Sequence, residues 1–206
     1  MRPGPLHLAH GWTLVPSPAL TGVVTREFIR PAVRAVPSSM ASRLGSCRIS
    51  LLAADPEVSS RWTESGTGLE ISVVTGESPG HDLAMELLVC LGQALWERLS
   101  DAEFRAYWLL LAGEIRDGVM GEIDEQALSE KQSLLASRLH AHSRRQLARY
   151  GRASFAGTAA EFVHCLWHDV SARTGPDYLP APQLGRRLKL LAGWFPPDRG
   201  YRLFSS

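Results

Sequence analysis

Residues 78–98 read SPGHDLAMELLVCLGQALWER, and the rest of the chain is organised around them. Leu83, Leu87, Leu91, Ala94 and Leu95 recur at three- and four-residue spacing, which lays one apolar stripe along a helix. The opposite side carries Glu86, Val89, Cys90, Gln93 and Glu97. Ser78 reads as the cap and Pro79 as the first helical residue, where its missing N–H is no loss. Just before them, LEISVVT at 69–75 alternates apolar Leu69, Ile71 and Val73 with Glu70, Ser72 and Val74. That alternation predicts a half-buried strand at an edge of a small sheet.

Outward from this strand–helix unit, the 206 residues suit one domain over 1–206 with a real core. The chain is 45% apolar and 21% charged, and its net charge of +1 gives no general pull towards nucleic acid or an anionic membrane. No apolar run has the length of a membrane span, and the amino terminus has no signal-peptide core. Cys47, Cys90 and Cys165 are odd in number and widely spaced, which points to a reducing cytoplasm rather than a disulfide framework.

In chain order, a short strand is predicted at 12–15 and a helix over 25–36, kinked or shortened by Pro31. A short helical piece at 38–44 follows, then a strand over 47–53 and a helical turn or two at 56–62. Residues 63–68, TESGTG, read as a turn. Beyond the central helix, helices over 101–117 and 124–150 form a hairpin, an insertion at about 100–150. Thr158 with Glu161 three residues on makes a capping box that opens a further helix. The last helix runs from 183 to about 195, stopped by Pro196 and Pro197.

The centre of the first helix, VCLGQAL at 89–95, resembles the active-site helix HELGHAL of the zincin metallopeptidases. Val89 stands at the first zinc-binding His, Cys90 at the general-base Glu and Gln93 at the second His, while Leu91, Gly92, Ala94 and Leu95 are kept. In lethal-factor-like zincins a later helix resembling AEFFAEAF supplies the third ligand. Ala160, Glu161 and Phe162 match its start and put Glu161 on that position, after which the chain departs as VHCLW. The likeness covers about 47–95 and the helix from 158. It implies an α+β, mainly helical, zincin-like fold with a small sheet. A catalytic zinc needs three protein ligands and a base for its water, and Val89, Cys90 and Gln93 supply neither. The resemblance therefore implies a non-catalytic domain, a binding or structural module with no cofactor and with a protein as its expected partner.

Three other constellations stand beside that reading. Glu161, His164 and His168 fall at i, i+3 and i+7 on one helix face; two of them, with a third ligand from Glu86 or Cys90, would hold a metal such as zinc and make a metal-dependent hydrolase. Against it stands the reading in which the His pair of HCLWH makes ordinary hydrogen bonds. Arg138, Arg144, Arg145, Arg149 and Arg152, with His140 and His142, form a basic helix face for an anionic partner or nucleic acid. The acidic stretch at 122–130 makes a solvated, paired face the competing account. Finally, GESPG at 76–80 matches a GxSxG nucleophile elbow. Its oxyanion hole needs the N–H of the residue after Ser78, and Pro79 has none.

Overall fold

The computed structural model describes residues 4–15, 22–52, 59–74, 80–136, 143–168 and 175–203. Among them five strands form one sheet: β1 (Leu6–His7), β2 (Thr13–Val15), β3 (Cys47–Leu52), β4 (Arg61–Ser65) and β5 (Gly68–Val74), in spatial order β1-β2-β3-β5-β4. β2, β3 and β5 are parallel neighbours, and β1 and β4 close the two edges antiparallel. On β3 and β5 the residues Cys47, Ile49, Leu51, Leu69, Ile71 and Val73 are buried, while Arg48 and Glu70 face water. The fold is α+β and mainly helical with this small sheet, as the sequence predicts.

Two corrections fall on the sheet. β5 is not an edge: its alternation reports one buried face, and β4 covers the flank where an edge was expected. β4 replaces the helical turn and loop expected at 56–68 in so far as those residues are described. RWTES is mostly exposed, so it carries no apolar alternation by which to recognise it.

The parallel crossover from β2 to β3 runs through α1 (Gly22–Val24), α2 (Arg30–Ala35) and α3 (Ser38–Leu44), with a π turn at Thr25–Ile29. Pro31 accounts for that turn. It has no N–H for the carbonyl of Glu27, so the ladder slips by one residue and the Arg30 N–H donates to the Thr25 carbonyl.

α4 (His81–Trp96) buries its predicted stripe, together with Ala84, Leu88, Cys90 and Trp96. Cys90 is a correction, because it was expected on the side opposite the core stripe and is 2% exposed. α5 (Asp101–Arg116) opens with a capping box of Ser100 and Glu103. α6 (Glu125–Ala136), α7 (Ser143–Trp167) and α8 (Ala181–Trp194) follow. The helix expected over 124–150 is thus two helices. Thr158 is no cap but lies within α7, buried, with its hydroxyl donating to the Ser154 carbonyl. Gly151 and Gly157 interrupt the sequence signal, yet a Cβ at either would collide with Trp108 or Asp124, so close packing explains them.

Beneath α5, α7 and α8 lies a buried ion cluster. Arg187 of α8 is fully buried and donates to Glu114, to both oxygens of Glu122 and to Ser154 Oγ. Lys131 of α6, also fully buried, donates to Glu122 Oε1 at 3.2 Å and to the Gly121 carbonyl at 3.0 Å. The Tyr150 hydroxyl donates to Glu122 at 2.6 Å. Two carboxylates against two cations leave this buried group neutral.

Candidate functional site

α4 and α7 pack closely because Gly92 rests on the backbone of Ala156, where a Cβ would stand 2.7 Å from its carbonyl oxygen. Trp96 lies against Phe155 with tilted rings, and His81 meets His164, so the helices run in opposite directions. This pairing creates two separate polar places.

The first is a cleft of about 400 Å³ between the start of β4 and helices α4, α6 and α7. Arg61, Trp62, Gln93, Gln126, Glu130, Arg149 and Arg152 line it, with Ser60 and Ala153. β4 is held over α4 by Arg98, which donates to Glu64 at 2.7 Å and to the Ala94 carbonyl at 3.2 Å. Arg149 donates twice to Glu130 Oε1, at 2.7 and 3.1 Å. Arg152 stands 5.7 Å over the Trp62 ring and 3.6 Å from Glu97, but its Nε is buried with no hydrogen-bond partner. Arg61 is exposed and makes no ion pair among the described residues.

The second place joins the first turn of α4 to the end of α7. His81 Nε2 and His164 Nε2 lie 2.7 Å apart, a hydrogen bond between imidazoles. His168 completes a trio whose ring centroids are 4.7, 5.3 and 5.6 Å apart. Burial lowers the His81 pKa, and the nearby His164 and His168 push it further down against the pull of Asp82. Glu161 Oε2 lies 3.6 Å from His164 Nδ1, and Cys165 is 3.9 Å from the other Glu161 oxygen. Burial and Glu161 push the Cys165 thiol up to about 12, so it stays protonated.

The expected site residues divide between these places. Val89 is half-buried against the core and Gln93 opens on the cleft. Glu161 is not brought to Gln93: it lies eight residues beyond cleft-lining Ala153 on α7, roughly 12 Å of helix rise. Cys90 and Glu86 do not join the His pair, since Cys90 is buried with its thiol raised to about 12 by burial and Glu86 is exposed. The imidazole that does join them is His81, which sequence reasoning missed although it opens the central helix. Arg149 and Arg152 reach the cleft, Arg144 and Arg145 are exposed away from it, and Arg138, His140 and His142 lie outside the described residues. Ser78 and Pro79 also lie outside them. Among the described residues, no group of three His, Cys, Asp or Glu side chains is set to hold a metal as it stands, and no helix is long and apolar enough to cross a membrane. Compared with protein-family models, curated proteins and solved structures, the chain matches none.

Proposed function

We propose that this chain is a non-catalytic binding domain of zincin-like ancestry whose cleft takes an acidic segment of a partner protein. The observation that carries the binding part is the cleft's charge. Three arginines face it against one carboxylate, with Arg61 unpaired among the described residues and Arg152 Nε desolvated and unbonded. Guanidinium groups pair carboxylates with two parallel hydrogen bonds, and Trp62 adds a flat apolar wall. The ancestry part is supported by the order β3, β5, central helix α4 and later Glu-bearing helix α7, although β4 stands where the resemblance expects a short helix. Gln93 opening on a cleft fits it too. The correspondence of Glu161 with a third ligand is not kept, given its distance along α7.

Calorimetric titration of the full chain with a glutamate-rich peptide, and separately with inorganic phosphate, tests the reading. The peptide is expected to bind, more weakly as salt rises. Arg61→Ala with Arg152→Ala is expected to weaken it by about tenfold or more, each charged hydrogen bond being worth about 1.5–3 kcal/mol. Absence of saturable binding, or binding indifferent to both changes, overturns the proposal. Phosphate binding alone would leave a small-anion site in place of a peptide cleft.

A further inference from the structure

The histidine trio lies apart from the arginine cleft and has its own chemistry. His81 and His164 aim their Nε2 atoms at each other. On the outer side of each ring a carboxylate approaches Nδ1: Asp82 at 3.7 Å from His81 and Glu161 at 3.6 Å from His164. Each carboxylate stands where, after a small side-chain rotation, it would accept a hydrogen bond from Nδ1–H and leave the Nε2 lone pair free for a metal. His164 is 7% exposed, and its Nδ1 is buried with no hydrogen-bond partner. An imidazole closed on another imidazole thus leaves a buried polar atom unsatisfied. With a cation on Nε2, that Nδ1 would carry the proton and turn it to Glu161. The ring spacings of 4.7, 5.3 and 5.6 Å are near the spacing of about 5 Å for imidazoles sharing one tetrahedral ion at roughly 2 Å bonds, and the stacked His164 and His168 rings, 23° between planes, must rotate to turn a nitrogen each to that ion.

From this geometry we propose that His81, His164 and His168 bind one divalent transition-metal ion of the zinc or nickel class, with Asp82 and Glu161 as outer partners. The ion ties the start of α4 to the end of α7. At rest His81 and His164 are closed on a hydrogen bond, and admitting the ion opens their nitrogens by roughly half an ångström through side-chain rotation. His168 is exposed and His81 half-buried, so solvent reaches the site. Three imidazoles suit zinc, nickel or copper and not magnesium or calcium.

The test uses the full chain, stripped with chelator and dialysed, and titrated with zinc chloride by calorimetry. One equivalent is expected, with a raised melting temperature because the ion binds only the folded chain. Magnesium and calcium are expected to give neither signal. His81→Ala and His168→Ala change solvent-reachable rings, so they keep the fold, and each is expected to lower zinc affinity more than about tenfold. Asp82→Asn and Glu161→Gln are expected to lower it about 10- to 100-fold. The double change His140→Ala with His142→Ala is expected to leave it unaltered. A chain that takes up no zinc, or whose uptake survives His81→Ala and His168→Ala, or is lost only with His140 and His142, overturns the proposal.

Discussion

Cys90 and Gln93 are three residues apart on α4 and live in different solvents. The thiol is buried, while the amide of Gln93 reaches the cleft. Restoring the HELGH letters therefore asks two unlike things of the helix. Cys90→Glu puts a carboxylate in an apolar site without a cation, and is expected to cost about 3 kcal/mol or more. Gln93→His stays at the lip and is expected to change stability by less than about 0.5 kcal/mol. Urea unfolding of the two single variants measures the contrast. A harmless Cys90→Glu would mean that this face of α4 opens to water. The same spacing argument separates Glu161 from Gln93 and gives it to the imidazoles instead.

Helix packing sets the next scale. Gly92 and Gly113 are both helical, yet a Cβ at Gly92 meets the Ala156 backbone and one at Gly113 meets nothing within 4 Å. Gly113→Ala is expected to stabilise by up to about 1 kcal/mol through helix propensity. Gly92→Ala is expected to destabilise by about 1–3 kcal/mol, because two backbones must part. Opposite signs in thermal unfolding are the expected readout; equal gains would show that α4 and α7 can separate freely. Elements with one periodic apolar face, such as α4, β3 and β5, were legible in the sequence because burial follows that period. β4 was not, since an exposed edge strand has no inner face to mark it. The continuity of α7 was not either: helix was expected on both sides of 151–157, but Gly151, Ser154, Gly157 and Thr158 are poor helix formers, chosen by Trp108, Asp124 and Tyr107 packed against them. Of the site, the pairing of His164 with His168 and the basic run containing Arg149 and Arg152 were visible. His81, Arg61 and Trp62 arrive from distant segments, and only tertiary contact brings them in.

Across the whole molecule, the buried ion cluster binds α5, α6, α7 and α8 through groups that tolerate no missing member. Burial pushes the Glu122 carboxyl up, but Arg187, Lys131 and the Tyr150 hydroxyl outweigh it and hold it down at about 2. A carboxyl depressed on folding stabilises the fold above its unfolded pKa of about 4.3, and that contribution is lost as pH falls towards 2. Denaturant unfolding is expected to show about 3 kcal/mol disappearing over this window. Arg187→Met leaves Glu114 and Glu122 buried with Lys131 alone, and is expected to cost about 3–5 kcal/mol. A pH-flat stability or a neutral Arg187→Met would show the cluster to be hydrated. Because Arg187 is carried by α8, while Glu114, Glu122 and Lys131 precede it by more than fifty residues, the order of synthesis matters. A nascent chain that ends before α8 holds two acids and one base with nowhere dry to put them. It should stay open to protease on the ribosome until α8 emerges, and close only then.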